Sequence, residues 1–250
     1  MSGTEVPRRK ASIDLWPAAG HCQRMADTSA NRILGAIERL NLGDRDGAIA
    51  ILSEELRLGP ESGEQWKVVH RVANGVGELD IALEASRRYA LTRPTRLDRV
   101  VYHATELATN GRTSEALEQI AGLPAGLRDH PSVQLFLAMR AAEAADFARA
   151  ESLYREAIPQ APLQAWAALT AVKTFAAGDS DLADMERLLP NAAHQEPRLY
   201  ARFLGALGKA YDDCGDFDRA WDMFDRSARI RRGLESWDPD LHRRVADSLI

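Results

Sequence analysis

Cysteine is nearly missing from this chain of 250 residues, with Cys22 and Cys214 its only two. They are too few and too far apart in sequence for a disulfide framework or a thiolate metal site. Apolar content is 45%, yet no apolar stretch approaches the roughly 18 to 20 residues that a membrane helix needs, so no membrane span is expected. Near the N-terminus a short apolar stretch is interrupted by Asp14 and Pro17, short of the roughly 7 to 15 apolar residues of a secretory signal. His21 precedes Cys22, where a lipoprotein cleavage site takes a small residue. These features point to the cytoplasm. A basic excess is also lacking: the net charge is -5, which gives no support for a nucleic-acid surface. Runs of β-branched residues with period two are few, so strands are not expected.

Motifs that carry chemistry are absent as well. There is no Gly-x-x-x-x-Gly-Lys, no His-Glu-x-x-His and no Gly-x-Ser-x-Gly. The stretch Asn74, Gly75, Val76, Gly77 has no strand before it and reads as an inter-helix turn. Six histidines, His21, His70, His103, His130, His194 and His242, form no pair at metal-ligand spacing. His70 and His103 fall on the packing stripe of a helix and read as hydrogen-bonded core residues. Asp212, Asp213, Asp216 and Asp218 lack the spacing of a calcium loop and read as solvated turn residues and a helix N-cap. No catalytic set, metal or cofactor is expected.

What the chain does contain is a register. Ala48, Ala82, Ala116 and Ala150 stand 34 residues apart, and Gly43, Gly77 and Gly111 keep that step five residues ahead of the first three. In each block a helix A, a tight turn at the glycine and a helix B carrying the alanine can be read. The run Gly215, Asp216, Phe217, Asp218, Arg219, Ala220 is the clearest copy, with Leu207, Gly208 and Tyr211 before it and Phe224 and Ser227 after it. Trp66, Val69, Ala73, Gly77, Ala82 and Pro94 fit the same template. So do Asp146, Phe147, Ala150, Tyr154, Ala157 and Pro162, with Ala145 in place of the turn glycine. Pro60 closes the first block, and the second helix of the Gly111 block, Thr113 to Leu123, meets Pro124 early and is short. Between Leu163 and Pro197 a degenerate unit shows Trp166, Leu169, Val172 and Phe175 on one helix and Leu182, Met185, Leu188 and Leu189 on another, with the turn at Gly178 and Asp179.

Period and pattern resemble the tetratricopeptide repeat, a helix-turn-helix whose apolar faces are covered only when neighbouring units stack on them. The resemblance implies an all-α solenoid, wound as a right-handed superhelix. About six helical pairs are expected, starting near Ser29, Gly63, Leu97, Pro131, Leu163 and Tyr200. Residues 1–27 read as a flexible tail, 28–233 as the solenoid, and 234–250 as a capping helix or a linker into a further domain.

Such repeats bind partners on a concave surface lined by helix A. Projecting the register places Lys67, Arg71 and Asn74 there from the second pair, Tyr102 and Thr105 from the third, and Phe136 and Met139 from the fourth. Lys173, Arg202 and Lys209 follow in later pairs. The expected groove is apolar at its centre and basic at its flanks, suited to an extended peptide or helix with acidic groups. The alternative is that these are ordinary exposed side chains. Of the two-carboxylate clamp found in chaperone-binding tetratricopeptide domains, only Lys67 sits suitably, so chaperone-tail binding is not expected.

The run from Leu204 to Phe224, then Arg231 and Arg232, then Trp237, Asp238 and Pro239, resembles the last repeat of bacterial proteins that fuse tetratricopeptide repeats to a sulfotransferase domain. Asp238 can cap a helix opened by Pro239, on which Leu241, Val245 and Leu249 form an apolar stripe ending at Ile250. That helix reads as a solenoid cap or as a hinge into a catalytic domain. The resemblance implies a non-catalytic N-terminal part that docks the acceptor substrate or self-associates. A free-standing adaptor that holds a partner protein in its groove is the other expectation. The partner is a protein or peptide, a second copy of the chain, or a covalently linked catalytic domain, with neither nucleic acid nor membrane involved.

Overall fold

The computed structural model describes residues 28–59, 63–234 and Arg243. The expected tail at 1–27, Pro60 as a stop, and the helix expected from Trp237, Asp238 and Pro239 through Leu241, Val245 and Leu249 lie outside the described residues. Within them the regular structure is entirely α-helical, in thirteen helices. The chain divides into two compact units, Met1–Leu123 and Pro124–Ile250.

In the first unit three hairpins follow one another: α1 (Ser29–Asn41) with α2 (Arg45–Leu58), α3 (Gln65–Gly75) with α4 (Leu79–Thr92), and α5 (Leu97–Thr109) with α6 (Thr113–Ala121). Each hairpin packs on the next, α1 and α2 against α3 and α4, and α4 against α5. The second unit opens with one helical turn, α7 (Ala125–Arg128). The hairpins α8 (Pro131–Glu143) with α9 (Phe147–Ala157), α10 (Pro162–Leu169) with α11 (Ser180–Ala192), and α12 (Pro197–Asp213) with α13 (Phe217–Leu234) follow. Helix α10 touches α9 on one side and α12 on the other.

The 34-residue period is written in the turns. Five A helices end with one residue in the left-handed region: Gly43, Gly77, Gly111, Ala145 and Gly215, with φ of 79, 80, 78, 60 and 77°. In each case the next amide reaches back to a carbonyl five residues earlier, as from Asp44 to Arg39 at 2.8 Å and from Asp216 to Tyr211 at 2.9 Å. This is the Schellman closure, which satisfies carbonyls that the helix end would otherwise orphan. The residue after the turn then opens helix B. Asp44, Asp146 and Asp216 cap it by accepting from the amides of Gly47, Arg149 and Arg219. Ala145 is the exception in the series, an L side chain held at positive φ.

Small residues at the same step let each A and B helix approach closely. Ala48, Ala82, Ala116 and Ala150 are buried to within 1% of completely, and Ala36, Ala104 and Ala138 face them from helix A, fully buried. In the last hairpin the place belongs to Gly208, where an added Cβ would lie 2.8 Å from the Phe224 ring and 3.2 Å from the Ala220 carbonyl oxygen. Large apolar residues fill the space beside them: Leu52, Trp66 and Val69 in the first unit, Trp166, Leu169 and Phe203 in the second. Burying a leucine of this kind contributes roughly 1.5 to 3 kcal/mol.

The degenerate fifth hairpin departs from expectation. Its first helix stops at Leu169, so Val172 and Phe175 lie in an irregular segment and not on α10. Phe175 is nonetheless 2% exposed, because its amide donates to Asp213 Oδ2 of α12 at 3.1 Å. The segment carries its own contacts into the core without helical geometry.

The turn geometry generates a paired prediction. Ala145→Gly removes the strain of an L residue at positive φ and raises the stability of the second unit by about 0.5 to 1 kcal/mol, whereas Gly215→Ala introduces that strain and lowers it by about 1 to 2 kcal/mol. Urea unfolding followed by circular dichroism reads both, as opposite shifts in midpoint.

Candidate functional site

Lys67, Arg71 and Asn74 recur at i, i+4 and i+7 on α3, and all three are exposed. The next hairpin adds Tyr102 and Thr105 from α5. The Lys67 ammonium lies 5.4 Å from the centroid of the Tyr102 ring and 6.0 Å from that of Tyr89, so both rings present their negative faces to it. The two tyrosines meet edge to face at 5.7 Å.

Beneath this surface the polar groups are largely spoken for. The Tyr102 hydroxyl sits 2.6 Å from His70 Nδ1, and a Glu106 carboxylate oxygen lies 3.2 Å from His70 Nε2. Burial, followed by the Glu106 charge, pushes the Tyr102 phenol up to about 12, so it is a neutral hydroxyl at physiological pH. Glu64 is bound by Arg99, which is only 5% exposed and whose guanidinium stacks 4.4 Å from the Tyr89 ring centroid. Thr105 turns its hydroxyl back to the Val101 carbonyl at 2.8 Å. The acids of this face are therefore matched with partners, while Lys67 points outward over its aromatic bed.

Other positions expected in the groove are placed differently. Phe136 is 2% exposed. It belongs to the stripe Val133, Phe136, Arg140, all buried, so it is a packing residue, while Met139 next to that stripe is 38% exposed. Lys173 does not stand on a helix at all. It lies in the segment after α10, where its ammonium is held by Asp179 at 2.7 Å and by Asp181. Arg155 of α9 grips the same Asp181 at 2.7 Å. The Arg155 hydrogen bond, aided by Lys173, holds the Asp181 carboxyl below the usual range. For Lys173, burial works against the charged form, but the bonds to Asp179 and Asp181 outweigh it and raise its pKa. Lys209 bonds to Asp213 and donates to the Lys173 carbonyl at 3.1 Å. Lys173 and Lys209 thus clasp the irregular segment to α11 and α12 and are not free groove cations. Asp213 stands four residues after Lys209 on α12, a spacing visible in the sequence, whereas the bond from Lys173 to Asp181 depends on how the irregular segment turns back.

Arg202 is exposed on α12. It lines a cavity of about 430 Å³ with Arg198, Arg231 and Leu234, of which only Arg202 was placed on the expected binding surface.

Both core histidines of the first unit are hydrogen bonded, as their position on the packing stripe implies. The Ser86 hydroxyl donates to the Leu83 carbonyl at 2.8 Å, so its oxygen accepts from His103 Nδ1, also at 2.8 Å. That assignment leaves Nε2 as the lone-pair nitrogen of a neutral ring. Around it is a second cavity, of about 310 Å³, with Arg87, Arg112, Glu84 and Glu115 on its walls. Its arginines are paired, Arg87 with Glu84 and Arg112 with Glu115. The Arg87 hydrogen bond is the main reason the Glu84 carboxyl falls to about 2.

The class these features define is an all-α array of helical hairpins with a 34-residue period. A model of the tetratricopeptide repeat matches residues 204–236, which take in most of α12 and all of α13. Among solved structures the chain is similar to BtubC (BKLC) from P. vanneervenii, at 20% identity over 84% of this chain and 91% of that one, with a TM-score of 0.47. No curated protein matches. No helix among the described residues is long and apolar enough to cross a membrane.

The His103 environment predicts a pH dependence. Burial, then the charges of Arg87 and Arg112, lowers its pKa to about 4 from 6.5. The unfolded chain therefore takes up this proton first, and stability is lost as pH falls from about 6.5 towards 4. His103→Gln removes the site, so between pH 7.5 and 4.5 the wild type loses about 2 to 3 kcal/mol more than the variant. Urea titrations at the two pH values measure the difference.

Proposed function

We propose that this chain is a cytoplasmic, non-catalytic protein- or peptide-binding module that engages acidic partners on the A-helix face of its first unit. Lys67, Arg71 and Asn74 supply the charged and hydrogen-bonding contacts, and Tyr102 with Thr105 forms the adjoining wall. The observation that carries the reading is the exposed stripe on α3 continued by the aromatic residue of the next A helix, with Lys67 over the Tyr102 ring. The tetratricopeptide match at 204–236 supports it, because such repeats commonly serve as interaction modules. The Tyr102 ring steadies the exposed Lys67 ammonium, which keeps its protons available for charge-assisted bonds to a carboxylate. Met139 and Arg202, both exposed, are candidate contacts in the second unit.

The resemblance of Leu204 to Phe224 with Arg231 and Arg232 to the repeats of sulfotransferase fusions supports a specific setting. In it, the module docks the acceptor substrate, or brings two copies together, for a linked catalytic domain. A free-standing adaptor would use the same face for a separate partner protein. Sulfotransfer measured on a longer natural chain, and lost when the repeats alone are removed, would favour the first setting.

The face itself is tested with a library of acidic and neutral peptides. Acidic peptides are expected to bind the wild type in a salt-sensitive manner. Lys67→Glu with Arg71→Glu weakens them by about tenfold or more at unchanged helicity. Equal affinity in the folded double variant removes the assignment. Lys209→Glu is not a suitable probe, because it breaks the clasp on Asp213 and Lys173 and so reports stability.

A further inference from the structure

The two cavities differ in how their arginines are used. In the cavity of the first unit, Arg87 and Arg112 are each neutralised by a glutamate on the same wall. In the cavity between α12 and α13, Arg198, Arg202 and Arg231 converge without a carboxylate among the described lining residues. Among the described residues none of these three guanidiniums has a hydrogen-bond or ion-pair partner. Two other arginines of α13 behave otherwise: Arg226 is held by Tyr200 at 2.7 Å and by Asp222, and Arg229 by Asp225 at 2.6 Å.

The cavity is a product of helical periodicity and small residues. Arg198, Arg202 and Gly205 recur at i, i+4 and i+7 on α12, and Ser227, Arg231 and Leu234 do so on the antiparallel α13. Ser227 donates to the Ala201 carbonyl at 2.7 Å and ties the helices together at the floor. Gly205 contributes no side chain, and a Cβ there would still stand 3.6 Å from Ser227 Oγ. The opening that remains, about 430 Å³, falls within the roughly 300 to 1,000 Å³ of small-molecule sites. The amides at the start of α12 are already occupied, since the Glu196 carboxylate accepts from Arg198 and Leu199. Any anion here is held by the guanidiniums alone.

We propose that this cavity binds a small ligand of the diphosphate class, with its phosphoryl oxygens gripped by Arg198, Arg202 and Arg231. Three guanidiniums without a carboxylate partner among the described residues call for more than the single charge of a carboxylate. Paired phosphates bring on the order of three negative charges and present oxygens to several planar forks at once. Gly205 and Leu234 offer an apolar surface to whatever organic group the phosphates carry. The site is separate from the α3 face and does not depend on peptide binding there.

Inorganic pyrophosphate is the probe. Calorimetric titration of the whole chain at low ionic strength is expected to show saturable binding with one site per chain. Arg202→Gln and Arg231→Gln should each weaken it by about tenfold or more. Arg232→Gln, one residue outside the lining, should leave it unchanged, and citrate should bind at least about tenfold more weakly than pyrophosphate. All three arginines are exposed, so helicity is retained; if Arg202→Gln loses it, Arg198→Gln gives the same readout. Absence of saturable binding overturns the proposal. So does an equal loss in Arg232→Gln, which would mean diffuse attraction, or a citrate affinity equal to that of pyrophosphate, which would mean carboxylate recognition.

Discussion

Reversal of the chain at the end of each A helix is the constraint on which the rest depends. A helical hairpin buries its apolar faces only if the second helix returns at the right distance and angle. That return is set by one residue at positive φ and by small side chains where the helices cross. Gly43, Gly77, Gly111 and Gly215 provide the first, and the alanines around 48, 82, 116 and 150 provide the second. Hydrogen bonds satisfied within the turn mean that it does not depend on water or on a neighbouring element. Packing of Trp66, Leu52 or Phe203 then follows from geometry already fixed locally.

Where this device is incomplete, ions take over. The fifth hairpin has a first helix of eight residues and a long irregular return. Lys173, Asp179, Asp181 and Arg155 form a half-buried network that ties this return to α9 and α11, while Lys209 and Asp213 attach it to α12. Such a network is directional, and each member has a partner, which is the condition for burying charge without large loss. The same rule distinguishes the two cavities: the arginines of one are paired on its wall, while those of the other have no partner among the described residues, and the proposed anion site rests on that difference.

The all-α repeat was legible because its causes are local and periodic. The left-handed turn residue and the buried alanine keep a fixed offset through the first four blocks at a 34-residue step, and in the Gly43 and Gly215 blocks a capping Asp follows the glycine as well. The end of α10 was not legible. Val172 and Phe175 keep helical spacing after Trp166 and Leu169, and spacing alone cannot tell a helix from a segment pinned by a hydrogen bond from Phe175 to Asp213. Phe136 shows a finer failure of the same kind. It is three residues from Met139, and the stripe it belongs to is decided by packing against other helices, which a single sequence does not specify. Asp213 at i+4 on the same helix marks the Lys209 pair, but the bonds of Lys173 to Asp179 and Asp181 depend on the path of the irregular segment before α11. On α3, by contrast, Lys67, Arg71 and Asn74 share a face for reasons of helical geometry alone, and the structure leaves them exposed together.

Hairpins built on the same left-handed turn and the same small-residue crossing are units that a gene can gain or lose whole, by duplication or deletion. The new neighbours would meet through contacts that already exist elsewhere in the array. His70 limits that freedom. It takes the place held by Ala36, Ala104 and Ala138 and is matched to Tyr102 of the following hairpin. An insertion between those two hairpins would therefore separate His70 from Tyr102 and leave the buried imidazole without that bond.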